Sequence, residues 1–250
     1  MRAIIIAAGM GSRLEHHTTE RPKCMVEVNG RSILSYQLEA LRMHGVDDIH
    51  VVRGYLSERL VVDGATYWEN ADYRNNNILL SLFCAEPAMD QAFVTSYSDI
   101  VYTSEVVERL MASDADISLV VDRHWLDAYD GREDHPPEQA ELTKVDGGRV
   151  VAVGKHVAPQ DEPLGEFIGL ARFTARGAAR LREVFHAVRG SHGDEDPFQA
   201  AAKFRKAYLT DLFEEMIDRG IDVGFVPIDG GWREIDTVED LARVSREWAR

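Results

Sequence analysis

The order of apolar segments predicts an α/β fold. Runs of strand length alternate with segments of helical period, and turn or capping residues stand at their junctions. The chain has 250 residues, long enough to bury a core without a disulfide or metal staple.

Strands are expected over residues 3–8, 49–52, 66–69, 93–96, 117–121, 150–154, 167–173 and 223–227, where aliphatic and β-branched side chains dominate. Helices are expected over 33–44, 78–89, 104–112, 175–188, 198–219 and 238–249. Ser32 is placed to cap the first helix and Gly45 to close it. Asp196 and Pro197 mark the expected start of the fifth helix and Gly220 its end. Alternating strands and helices make a mostly parallel sheet with helices on both faces. No helix separates the segments 150–154 and 167–173, which implies an antiparallel patch. The expected architecture is therefore one domain over 1–250, a Rossmann-like three-layer α/β/α sandwich on a mixed, mostly parallel sheet. Residues 122–139 read DRHWLDAYDGREDHPPEQ and form a lid-like insertion. Trp125 and Tyr129, four apart, favour a short ordered helix there over disorder.

Net charge is −15, which argues against nucleic acid and anionic membrane as partners. No run approaches the length of a membrane span. The first apolar stretch, Ala3 to Ala8, is shorter than a signal-peptide core and runs into a Gly-rich turn, so the protein is expected to be cytoplasmic. Cys24 and Cys84 form no CxxC or Cys/His cluster, against a disulfide framework or thiolate zinc site. Charge is unevenly spread. Residues 1–31 hold five basic and three acidic groups, leaving 23 basic and 40 acidic residues elsewhere. A basic island in an acidic chain suits a small anion, although chance clustering explains it as well.

The island begins where the first strand runs into Gly9-Met10-Gly11-Ser12-Arg13. Glycines let backbone N–H groups approach a phosphate. A Walker loop is absent, and Leu14 stands where a dinucleotide fingerprint needs its third glycine. The segment then carries Arg13, Arg21 and Lys23, with Pro22 stiffening the turn before Lys23. Cations on a glycine loop at a strand's carboxyl end suit a triphosphate. Asp99 and Asp236 lie where an open sheet places ligand-binding groups, and Mg2+ takes hard oxygen ligands. Asp99 starting a turn, or Asp236 serving the dipole of a helix capped by Thr237 and Asp240, are equally open from these residues alone.

In order, AIIIAAGMGSRL and ERPKCMVEVNGRSIL resemble the signature of the nucleotidyltransferases that make nucleotide-diphospho-sugars and related CDP compounds. The resemblance implies that Ala7, Ala8, Gly9, Met10, Gly11, Ser12, Arg13 and Lys23 wrap a nucleoside triphosphate, Arg13 and Lys23 being the catalytic cations. Loss of Lys23 is then expected to cost activity and little stability. SYSDIVY and GGWREIDTVEDL resemble the family's two metal-aspartate motifs, implying Asp99 and Asp236 as Mg2+ ligands and Ser98 beside the nucleotide. NNNILLSL resembles the Asn-x-x-x-Ser-Leu segment of the cytidylyltransferase branch, including phosphocholine and phosphonate cytidylyltransferases, and implies Asn77 at the base. Lys155 has the placement of the acceptor-phosphate lysine. GEFIGLARF and LTDLFEEMIDRG also resemble phosphonate-type members, whereas Glu15-His16-His17 departs from the family pattern. In the lid, Arg123, Trp125 and Arg132 either meet the acceptor or belong to a solvated loop with an aromatic anchor.

The implied function is a CTP-dependent cytidylyltransferase that joins CMP to a small phosphonate or phospho-alcohol and releases pyrophosphate. The acceptor oxyanion, with a second pKa of about 6, needs no general base. A sugar-1-phosphate nucleotidyltransferase and a non-catalytic nucleotide-binding regulatory subunit are the alternatives, and a homodimer stays open.

Overall fold

Strand β1 (Arg2–Ala7) decides the architecture, because its alternate side chains enter two different cores. The computed structural model describes residues 1–155, 157 and 165–248. On one face, Ala3, Ile5 and Ala7 meet Leu34, Leu38 and Leu41 of helix α1 (Ile33–Arg42) and Val106, Val107 and Leu110 of α3 (Ser104–Met111). On the other, Ile4 and Ile6 share a core with α2 (Ile78–Phe83), α4 (Ala175–Ser191) and α5 (Leu209–Asp218). Each fully buried aliphatic side chain contributes about 1.5–3 kcal/mol, so the period-two alternation of this strand fixes helices on both faces. The expected three-layer sandwich follows.

Around β1 the sheet is parallel. It pairs with β4 (Asp48–Arg53) and β6 (Phe93–Tyr97), and β4 pairs with β5 (Thr66–Glu69). Strand β11 (Gly165–Phe173) runs antiparallel to β6, to β8 (Ile117–Asp122) and to β9 (Leu142–Asp146). A hairpin joins β9 to β10 (Arg149–Gly154), and β12 (Gly224–Ile228) pairs with β8 in parallel. The antiparallel patch is thus present, but β10 pairs with β9, a strand the sequence reading missed. Gly169 lets β11 change partners: its φ is +82°, and a Cβ there would stand 2.4 Å from the Tyr97 ring. The close approach brings Tyr97 beside the sheet's carboxyl edge.

A small ribbon matters most for the site. β7 (Ile100–Tyr102) pairs antiparallel with β13 (Trp232–Glu234), and the Ile235 N–H donates to the Asp99 carbonyl at 2.8 Å. Two distant segments are stitched together there. Helix α6 (Val238–Glu247) then packs Leu241 and Val244 against Leu14, Val26, Ile33 and Val28, the last in the short β2 (Glu27–Val28) that pairs with β3 (Arg31–Ser32). The last expected residue of α6, Ala249, lies outside the described residues.

Two expected helices are shorter than the sequence reading made them. The one over 78–89 stops at Phe83, and Glu86–Met89 continues only as a tight turn around Pro87, which lacks an N–H and clashes with the preceding turn. The one over 198–219 starts at Leu209 instead of Phe198. Gln199 has φ 49°, and Phe198 pairs back on Ala201. Asp211 accepts from the backbone N–H groups of both Ala200 and Tyr208, which opens the helix there. Among the described residues no helix is long and apolar enough to cross a membrane.

Candidate active site

The turn after β1 is held by its own backbone. Leu14 N–H donates to the Gly11 carbonyl at 3.0 Å, and Thr18 Oγ1 to the same oxygen at 3.1 Å. Gly11 has φ +60°, and a Cβ there would stand 2.8 Å from the Lys23 Cβ. Only glycine meets both demands. Pro22 is extended, Lys23–Met25 forms a turn, and the lysine side chain is delivered under the loop. Behind it Cys24 is buried with its thiol pushed up to about 12 by burial, which removes it as a nucleophile near neutrality.

Lys23 does not end in solvent. Its Nζ donates to Asp99 Oδ2 at 2.8 Å and to Asp236 Oδ1 at 2.6 Å. Burial alone lowers an ammonium's pKa, but the charges of Asp99 and Asp236 outweigh it, and the Lys23 pKa is raised. Burial works to raise the Asp236 carboxyl, yet Lys23, His135 and Arg13 hold it well below the usual carboxylate range. Arg13 pairs with Asp236 Oδ2 and reaches Gln139 at 3.3 Å. Asp99 Oδ1 is buried with no hydrogen-bond partner among the described residues. Two carboxylates that already share a cation, one with an unpartnered oxygen, fit a hard divalent ion.

These groups open onto a cleft of about 380 Å³ at the carboxyl ends of β1 and β6. Of the expected nucleotide set, Ala8, Gly9, Gly11, Ser12, Arg13, Lys23, Asn77 and Ser98 line it. Ala7 does not, because its side chain is in the sheet's core, and Met10 turns outward against Arg74. Asn75 is tied to Asp72 at 2.6 Å, so within the asparagine run Asn76 and Asn77 form the wall. Asn76 is fixed by a reciprocal amide pair with buried Asn70, whose Nδ2 also donates to Ser81. Asn77 Nδ2 donates to the Lys206 carbonyl at 2.9 Å.

Lys155 lines the far wall, its Nζ 3.3 Å from the Tyr208 hydroxyl and 4.5 Å from that ring's centroid. Arg123 and Arg132, in the 122–139 insertion, do not line the cleft. Arg123 makes a bidentate pair with Asp229. Arg132 is buried, bidentate to Asp240 and paired with Glu234 at 3.0 Å, because Asp240 is fixed by its capping box with Thr237 and needs a cation. Both are corrected from acceptor ligands to anchors. The 122–139 insertion carries short turns at Trp125–Ala128 and Pro137–Gln139, and Trp125 and Tyr129 pack with Leu142.

Sequence reasoning missed Glu141, Glu166, Glu234 and His135, all of which line the cleft. Glu166 carried a signal, an acid inside an otherwise apolar strand. Burial pushes its carboxyl well above the ordinary range, Tyr129 donates to Oε1 at 2.7 Å, and Oε2 has no hydrogen-bond partner among the described residues. Glu141 accepts from Thr210 at 2.9 Å and Tyr97 at 3.1 Å, and burial pushes it up to about 7. The folded state therefore keeps a proton that the unfolded chain releases from its ordinary value of 4.5, so stability falls as pH rises between these values. The size is on the order of 3 kcal/mol. Urea unfolding from pH 5 to pH 7.5 should show wild type losing more stability than Glu141→Gln; parallel curves would remove Glu141 as the titrating group.

Residues 3–149 match the MobA-like NTP transferase domain. The chain belongs to this family of nucleotidyltransferases. Within it, the chain is 33% identical over 252 residues to CTP:phosphoglutamine cytidylyltransferase of Campylobacter jejuni, covering 96% of this chain and 98% of that protein. It is 28% identical over 204 residues to 2-aminoethylphosphonate cytidylyltransferase of Lancefieldella rimae, covering 78% and 76%. The solved structure of CTP:phosphocholine cytidylyltransferase from Streptococcus pneumoniae superposes with a TM-score of 0.74 at 20% identity, covering 99% of both chains, a likeness of fold.

Proposed function

We propose that the protein is a cytidylyltransferase that transfers CMP from CTP to a small acceptor bearing a phosphonate or phosphate, releasing pyrophosphate. The observation that carries the nucleotide choice is the Asn77 amide. The Lys206 carbonyl accepts from Nδ2, which leaves Oδ1 as the acceptor atom of this wall residue. An acceptor pairs with the exocyclic amine of cytosine and opposes the carbonyl of uracil.

An acceptor oxyanion attacks the α-phosphorus in line, a P–O bond forms, and the bond to pyrophosphate breaks. Arg13 and Lys23 neutralise triphosphate charge, and Lys155 orients the acceptor's anionic end. Asp99 and Asp236 would hold Mg2+, which supplies further charge neutralisation when bound. Glu166, with its unpartnered oxygen among Tyr97, Tyr129 and Phe167, favours an acceptor whose other end carries a cationic nitrogen. Two of the cytidylyltransferases to which the chain is similar are named for nitrogen-bearing acceptors, phosphoglutamine and 2-aminoethylphosphonate, which supports the same class.

Pyrophosphate release with CTP, UTP, dTTP, ATP and GTP tests this against phosphocholine, phosphoglutamine, 2-aminoethylphosphonate, 2-hydroxyethylphosphonate, phosphonoformate and sugar 1-phosphates. CTP should exceed every other nucleotide at least about tenfold, since one unpaired buried group costs about 1–3 kcal/mol. Asn77→Ala should lose about that discrimination while its Tm stays near wild type. A preference for UTP or dTTP with sugar 1-phosphates rejects the proposal, and no turnover with any pair favours a regulatory subunit. Aminoethylphosphonate should exceed its hydroxy analogue in wild type but not in Glu166→Gln.

A further inference from the structure

A histidine from a segment remote in sequence faces the same carboxylates. His135 is 5% exposed, and its Nδ1 stands 3.2 Å from Asp236 Oδ2 and 3.5 Å from Glu234 Oε2. Neither approach is aligned as a hydrogen bond, and Nδ1 has no such partner among the described residues. One ligand atom from each of His135, Glu234 and Asp236 lies within 4.8 Å of the others. Neighbouring ligands on an octahedral ion with bonds of about 2.1 Å stand about 3 Å apart, close to these separations. The imidazole therefore already sits at a ligand's distance from both carboxylates, without a hydrogen bond to either.

We propose that His135 joins Asp236 and Glu234 in a mixed nitrogen–oxygen metal site that binds Co2+ and Mn2+ more tightly than Mg2+. The inference rests on the reading of Asp236 as a metal carboxylate. An all-oxygen site suits Mg2+, whereas an imidazole raises affinity along the series from Mn2+ to Co2+. The cations on Asp236 do not block it. Arg13 on Oδ2 and Lys23 on Oδ1 are the groups assigned to the triphosphate, and their transfer to phosphate oxygens clears the carboxylate. The lid segment that carries His135 is anchored through Arg132, so the ligand arrives on an ordered support.

The test is direct ion binding to the full chain, with α,β-methylene-CTP present so that no turnover occurs. Free Mn2+ is followed by paramagnetic resonance, and Co2+ and Mg2+ by calorimetry. Wild type should bind Mn2+ at least about tenfold more tightly than Mg2+, and Co2+ more tightly still. His135→Ala should lower Mn2+ and Co2+ affinity at least about tenfold and leave Mg2+ within about twofold. An unchanged ion order in a folded His135→Ala, with Asp236→Asn abolishing all three, overturns the imidazole ligand alone. Unchanged affinities in Asp236→Asn overturn the metal reading beneath it. His135→Gln, which keeps a polar group of similar reach, should behave as His135→Ala if the imidazole is the ligand and as wild type if it is only a spacer, an outcome that also overturns the proposal.

Discussion

Replacing Lys23 with alanine should lower kcat/KM by about 10²–10³, the scale of losing one preorganised charge. The structure adds a second consequence that the sequence did not suggest. Lys23 lies between two carboxylates, so its loss leaves them facing each other without a shared cation. Removing one partner of a buried pair costs about 3–5 kcal/mol. The lower part of that range applies, because the Asp99 side chain is 26% exposed and Asp236 keeps Arg13. The variant should therefore melt well below wild type without divalent ions and recover much of that loss in Mg2+, which can take the ammonium's place between the carboxylates. Lys23→Met, matched in length, should behave the same way and separates charge from volume. Wild-type kcat/KM in either purified variant would reject the assignment; an unchanged Tm would reject the buried pair.

The fold was legible where one side chain's burial depends on its neighbour's. Alternation along Ala3 to Ala7 announces a strand with a core on each face, and Ser32, Thr237 and Gly220 stand where the structure places a cap or an end. It was illegible where a short segment is made a strand by its partner. Ile100–Tyr102 and Trp232–Glu234 carry no periodicity of their own, and only their pairing brings Asp99 to Asp236. The stretch 198–208 reads as the opening of the helix that in fact starts at Leu209; its Phe198 and Phe204 rings meet tilted at 51°, with centroids 5.3 Å apart.

The candidate site divides the same way. The glycine loop, Lys23 and the two aspartates carried signals, because glycine, a cation and strand-end acids each do something a core residue does not. His135 and Glu234 carried none. A histidine in a loop and an acid after an arginine are ordinary on a surface, and only tertiary packing brings them together. Arg132 and Arg123 misled for the converse reason: an arginine in an insertion looks available to an anionic acceptor, and nothing local reveals the Asp240 or Asp229 already claiming it.

The two aspartates should prove unequal. Asp236→Asn and Asp99→Asn keep shape and remove charge, and the sequence alone treats the pair as equivalent. Their surroundings differ. The Asp236 side chain is 7% exposed and receives Lys23, Arg13 and the His135 approach, whereas Asp99 is 26% exposed and, among the described residues, receives Lys23 alone. Asp236 thus organises both phosphate cations, and its neutralisation disturbs their positions as well as any bound ion. We expect Asp236→Asn at the upper end of a loss of about 10²–10³ in kcat/KM and Asp99→Asn at the lower end. Each should raise the Mg2+ concentration needed for half-maximal rate. The double variant should be no worse than Asp236→Asn, because groups acting as a unit lose their function once. Magnesium titrations of the three variants at saturating CTP decide this. A wild-type magnesium requirement in either single variant removes that residue from the site, and losses that multiply in the double variant would mean the two carboxylates act separately.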